Sequence, residues 1–278
     1  MTDDAPDDRT GDPPKPADAA VIGAGRPHDT ETPDIETASD RYAARFAGAL
    51  GEWLLDEQSA AITRMLARTG DRPLRVLDVG GGHGQIAPLL LAAGHDVTIH
   101  GSTPECFRRV EHLREAHPDR FRTAASSLWN LPFEDESFDL VLAVRLLGHT
   151  ARWRELLAEM ARVSRSFVLI EFARASFFRI PGAAEAIFVL KRRIEGTTRP
   201  FFSYSERRLR EELSRHSFEA TAMTAMFSLP MVVHRMVNDP ALSATAETSL
   251  RRWESATGSG HPRSCSRVAT GASLATAS

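Results

Sequence analysis

The stretch RVLDVGGGHGQIAPLL, Arg75 to Leu90, places three consecutive glycines between a run of β-formers and a run of helix-formers. An acid, Asp78, stands two residues before the first glycine. A strand that ends in a tight glycine turn and opens a helix exposes backbone N–H groups and lets a ligand approach the main chain closely. Ligands with phosphates and ligands with a cationic amino group both use such a turn. A carboxylate projecting from the end of the strand repels a pyrophosphate and suits an ammonium, so Asp78 favours the second class. Gly82-x-Gly84-x-x-Ala87 also imitates a dinucleotide fingerprint, but that reading requires a ribose-binding acid at the end of the second strand, where DVTIHGSTPEC supplies none.

Outward from this turn, apolar β runs alternate with helical segments. Strand-like runs cover Leu74–Val79, Asp96–His100, Phe138–Val144 and Phe167–Phe172, and helical runs cover Ile86–Ala93, Pro104–Ala116 and Trp153–Val163. Continuous apolar strands separated by helices predict an α/β fold, a mostly parallel sheet with helices on both faces. Upstream, Tyr42, Phe46, Leu50, Trp53, Leu54, Ile62 and Leu66 recur at helical spacing, with Ser39 as N-cap and a break near Gly48 and Gly51. Downstream, a helix is expected over Ser205–His216 and an alternating run over Phe218–Phe227.

With 278 residues, 42% of them hydrophobic, the chain is long enough for one main domain with appendages. Residues 1–38 are rich in Asp, Pro, Thr and Ala and read as a disordered tail, and 39–253 as the folded domain. Within it, 174–203 is an aromatic and basic helical insertion or lid, with Phe177, Phe178, Phe188, Phe201 and Phe202 beside Arg179, Lys191, Arg192 and Arg193. Residues 254–278, dominated by Ser, Ala, Thr and Gly, read as a flexible tail. A net charge of -3 gives no electrostatic reason to expect nucleic acid. Two isolated cysteines support neither a disulfide framework nor a metal site. The acidic start and the lack of a long apolar run lead us to expect a cytoplasmic protein with no membrane span.

VLDVGGGHGQ resembles the first motif of class I S-adenosylmethionine-dependent methyltransferases, and LPFEDESFDLVLAVRLLGH resembles the segment entering their fourth strand. The likeness runs from about Tyr42 to Phe227 and is greatest to the small-molecule enzymes related to ubiquinone and menaquinone biosynthesis. It implies a Rossmann-like, seven-stranded sheet whose last strand is an antiparallel hairpin arm, with Phe218–Phe227 as first arm and, for the second, either Arg263–Ala269 as a poor match or no segment at all. An unfilled place there would leave an exposed edge, for which a homodimer is one remedy. The implied cofactor is S-adenosylmethionine and the implied partner a small-molecule methyl acceptor, aromatic or quinone-like, methylated at oxygen or carbon. By resemblance the cofactor contacts fall on Asp78, Gly80, Gly81, Gly82, Gly84, Gly101, Ser102, Ser127, Leu128 and Val144. Gly101 and Ser127 stand where the family usually has acids for ribose and adenine. That departure keeps open a second reading, a methyltransferase-fold protein that binds the cofactor or a related ligand without turnover.

Arg145 and His149, following the fourth strand, are the catalytic candidates, because open α/β sheets bind ligands at the carboxyl ends of their strands. His149 is the candidate base and Arg145 the anchor for an anionic acceptor. Glu171 is a further candidate at that edge, His83 lies inside the glycine loop, and Tyr42 and Trp53 are placed to close the pocket.

Overall fold

A computed structural model describes residues 20–22, 32–173, 201–227, 231–257 and 270–277, together with Val189, Arg193 and Leu229. The proposed lid at 174–203 lies almost entirely outside the described residues. Strand β1 (Ala20–Ile22) precedes helix α1 (Pro33–Thr37), helix α2 (Asp40–Ala43) and the long helix α3 (Gly48–Leu66). Ser39 caps α2 as expected, its hydroxyl accepting the Tyr42 N–H at 3.2 Å. Then follow β2 (Arg75–Val79), α4 (Ala87–Ala92), β3 (Asp96–Gly101), α5 (Glu111–Ala116), β4 (Phe121–Ala125), β5 (Phe138–Ala143), α6 (Trp153–Val163) and β6 (Ser164–Ala173). The remainder comprises β7 (Phe201–Ser203), α7 (Glu206–Arg215), β8 (Phe218–Phe227), α8 (Met231–Val237), α9 (Pro240–Thr257) and β9 (Thr270–Ala277).

Seven strands form one open sheet in the order β4-β3-β2-β5-β6-β9-β8. Strands β2 to β6 run parallel, and β9 runs antiparallel to both its neighbours. The side-chain alternation of β2 and β5 feeds two cores. Leu77, Val79, Val141 and Ala143 pack on one face with Leu156 and Leu157 of α6 and Leu209 and Leu213 of α7. Val76, Leu140 and Leu142 pack on the other with Ile62 and Met65 of α3 and Leu90 and Leu91 of α4. Each such fully buried side chain contributes roughly 1.5–3 kcal/mol, so burial on both faces fixes the register of the central strands.

Two expectations about the ends of the chain are corrected. Residues 270–277, expected within a flexible tail, are β9, the second hairpin arm, inserted between β6 and β8. Its small side chains suit a strand squeezed between two neighbours and two cores: Leu274 joins one core and Ala275 the other. Helices α8 and α9 fill the connection between the two arms. The N-terminal residues 1–38, expected as a disordered tail, include β1, paired antiparallel with β7, and α1, started by Pro33. Asp34 in α1 is fully buried. No helix among the described residues is long and apolar enough to cross a membrane.

Candidate functional site

The site assembles where β2, β3, β5 and β6 end. After Val79 the chain turns through Gly80, whose φ of 74° is left-handed, into a single 3-10 turn at Gly81–His83, and leaves through Gly84 at 77°. Glycine adopts this region without steric cost. The Gly80 N–H donates to the His100 carbonyl at 2.8 Å, tying the turn to the end of β3. Close approach explains the middle glycines. A Cβ on Gly81 would stand 2.2 Å from Asp78 Oδ2, and one on Gly82 2.2 Å from the Cys106 carbonyl oxygen.

Asp78 is buried beneath this turn, and its Oδ1 has no hydrogen-bond partner among the described residues. Burial pushes its pKa up to about 7, against the opposing pull of the Arg145 charge. His83 faces the rings of Tyr42 and Phe46 edge-on, with centroids 5.6 and 5.5 Å away. Burial, reinforced by the Arg145 and Arg109 charges, lowers its pKa to about 3, so its imidazole is neutral. Both its ring nitrogens are buried without a partner among the described residues.

Arg145, just past β5, holds the left-handed φ of 59°, a conformation that costs a non-glycine residue about 1 kcal/mol. Its N–H donates to Glu171 Oε2 at 3.0 Å, and the same oxygen accepts the Gln58 amide at 2.6 Å. The guanidinium lies over Phe46 at 4.9 Å and Tyr42 at 5.9 Å, leaving Nη1 buried and without a partner among the described residues. Burial raises Glu171 to about 7, although Arg145 and the two hydrogen bonds act to lower it. His149 is buried in the 3-10 turn Leu147–His149. That turn is propped by the buried Tyr204, whose hydroxyl lies 3.0 Å from the Leu147 carbonyl and 2.8 Å from that of Thr150.

The structure thus brings Asp78, the glycine turn, Gly101, Ser102, Arg145 and Glu171 to one edge. Other sequence candidates stand differently. Ser127 is exposed and its hydroxyl accepts the Trp129 N–H at 3.2 Å, while Leu128 and Val144 are taken up by the two cores. Tyr42 sits over the glycine turn, but Trp53 packs instead on Phe227 and His234. Sequence reasoning missed Asp34, whose Oδ2 accepts the Ser102 N–H at 2.6 Å. The available signal was Pro33 at a helix start followed by Ile35 and the Ser39 cap. Among the described residues no group of three or more His, Cys, Asp or Glu side chains is arranged to hold a metal ion.

Buried atoms left unsatisfied are costly, about 1–3 kcal/mol each. Here an acceptor on Asp78, a donor on Arg145 and the His83 nitrogens, all without a partner among the described residues, lie around the glycine turn. An ammonium group matches the Asp78 acceptor, and an anionic group matches the Arg145 donor.

Residues 76–166 match the family described as Methyltransferase domain. An uncharacterized methyltransferase of Mycobacterium marinum is 33% identical over 124 residues, 44% of this chain and 47% of the relative. An uncharacterized protein of Mycobacterium tuberculosis is 30% identical over 138 residues, 48% of this chain and 50% of the relative. The chain therefore spans about half the length of the curated relatives it matches. Among solved structures, the Burkholderia thailandensis 1,6-didemethyltoxoflavin-N1-methyltransferase, with bound 1,6-didemethyltoxoflavin and S-adenosylhomocysteine, superposes with a TM-score of 0.56 at 16% identity, covering 94% of this chain and 96% of that one. The magnesium protoporphyrin IX methyltransferase of Synechocystis PCC 6803 gives 0.56 at 14% identity, over 86% and 93%. The seven-stranded sheet has the class I methyltransferase fold.

Proposed function

We propose that this chain is an S-adenosylmethionine-dependent methyltransferase whose acceptor is a small aromatic or quinone-like molecule, methylated at oxygen or carbon. The observation that carries the reading is the buried Asp78 carboxylate pressed against the glycine turn, one oxygen of which has no hydrogen-bond partner among the described residues, inside the segment that matches a methyltransferase domain. The cofactor, when bound, supplies a methyl group activated by a sulfonium.

The chain's own residues have separable tasks. Asp78 accepts hydrogen bonds from the ammonium group, and the middle of the turn, at Gly81 and Gly82, lies against the ligand's amino-acid end. Gly101, Ser102, Ser127, Leu128 and Val144 are the proposed neighbours of its nucleoside part. Tyr42, Phe46 and His83 form an aromatic wall that excludes water, which strengthens every charge interaction within. Arg145, with a guanidinium nitrogen that has no partner among the described residues, holds an anionic acceptor, and its strained backbone is fixed by Glu171. With a pKa of about 7, Glu171 can exchange a proton near neutrality, and His149 is the second proton acceptor proposed at this edge. Positioning nucleophile and methyl group in line supplies the remainder of the rate.

Calorimetric titration with S-adenosylmethionine, S-adenosylhomocysteine and NADH tests the reading. Micromolar binding of the first two with no response to NADH is expected. Absence of binding by the sulfonium compound and its product would overturn it.

A further inference from the structure

Asp34 lies outside every motif read from the sequence, yet it is fully buried at the candidate site. Its Oδ2 accepts the Ser102 N–H at 2.6 Å and stands 3.4 Å from Cys106 Sγ. Its Oδ1 is buried with no hydrogen-bond partner among the described residues. A Cβ built on Gly80 would stand 3.5 Å from Asp34 Cβ. The carboxylate is therefore wedged between the glycine turn that follows β2 and the end of β3.

Strand β3 has no means of placing an acid there itself. A Cβ at Gly101 would meet Cys106 Cβ at 2.7 Å and the Phe107 ring at 3.0 Å. Among the described residues, two arginines near the N-terminal segment have other carboxylates as partners. Arg45 pairs with Glu36 at 3.0 Å and Arg109 with Asp40 at 2.7 Å. Short-range bonds hold the segment in place: Thr37 Oγ1 donates to the Asp34 carbonyl at 2.9 Å, and Ser39 caps the next helix. A buried carboxylate oxygen without a donor is unfavourable unless a ligand brings one. An adjacent pair of hydroxyls is a suitable donor set, because a carboxylate accepts two O–H bonds side by side.

We propose that Asp34 is the acid that accepts the ribose hydroxyls of the cofactor, delivered from the N-terminal segment instead of from the end of β3. This rests on the S-adenosylmethionine reading above. It also makes residues 33–46 part of the binding site, since α1 carries the acid and Tyr42 and Phe46 wall the same turn.

The test is a calorimetric cycle with two ligands, S-adenosylhomocysteine and its analogue lacking both ribose hydroxyls, on the wild type and on Asp34→Asn. Asparagine keeps an acceptor for the Ser102 N–H and removes the charge. Asp34→Ser is the second variant, and thermal unfolding confirms that each folds. The expected result is a roughly tenfold or greater loss of affinity for S-adenosylhomocysteine in both variants, with wild type and variants equal toward the analogue. Equal losses for both ligands would make Asp34 a purely structural residue, and unchanged affinity would remove it from the site. Tighter binding by the variants would make the segment a plug. Each of these three outcomes overturns the proposal while leaving the cofactor reading standing. A wild type that binds neither ligand overturns both.

Discussion

Asp78 and Asp139 are buried carboxylates on neighbouring strands of the same sheet, at opposite ends. Asp139, at the amino end of β5, accepts from Arg72 at 3.0 Å and from the Arg75 N–H at 2.9 Å, with Arg165 at 3.5 Å. Burial alone would raise its pKa, but these bonds and charges hold it below the usual carboxylate range. Asp78, at the carboxyl end of β2, has an oxygen with no such partner among the described residues, and burial raises its pKa to about 7. One acid is finished by the fold and the other is unfinished. The contrast separates a carboxylate that stabilises the sheet from one poised for a ligand.

The largest effect is expected from Asp78→Asn. Removing one member of a buried charge pair costs about 3 kcal/mol, roughly a hundredfold in affinity for S-adenosylhomocysteine. The ligand-free variant should unfold at an unchanged or higher temperature, because an unpaired buried acid is removed. Lower stability in the apo variant would break the comparison. Asp139→Ala should do the reverse, destabilising the protein by about 2 kcal/mol through the orphaned Arg75 N–H and leaving affinity intact. Denaturant unfolding and the same titration check both halves.

pH sharpens the contrast. Asp78 and Glu171 are both raised to about 7 from ordinary values near 4, so between those limits the folded, ligand-free protein holds protons that the unfolded chain has lost. Their contribution to stability is full below about pH 4 and is lost as pH rises through 7. An ammonium ligand prefers ionised Asp78, so affinity for S-adenosylhomocysteine should increase up to about tenfold per pH unit on the acid side of 7. A flat profile in the wild type, or an equally steep one in Asp78→Asn, would contradict the assignment. The smallest expected change comes from Tyr204→Phe. Loss of the hydroxyl beneath the 145–150 turn should cost about 1 kcal/mol of stability and reduce turnover more than cofactor affinity.

Residue patterns made much of this legible. The alternation of apolar strands with helices predicted the parallel sheet, and the observed β2, β3, β5 and β6 overlap the predicted runs. Strand β4 leaves no such pattern, because Phe121–Ala125 is half-exposed and carries one large apolar residue. Strand β9 is silent in the sequence for a related reason. With Leu274 its single large side chain, it is held by backbone ladders on both sides more than by hydrophobic pattern.

The sequence by itself determined the glycine turn, the acid before it and the layered α/β core, because these depend on φ freedom, side-chain period and contacts between near neighbours in the chain. Tertiary structure decided which distant segments complete the site. Asp34 meets Ser102 across 68 positions, Gln58 meets Glu171 across 113, and the last strand enters the middle of the sheet's far half. Such pairings leave no local periodicity. They arise from the cost of burying an unpaired polar group or an open strand edge, which is met only when the whole chain has folded.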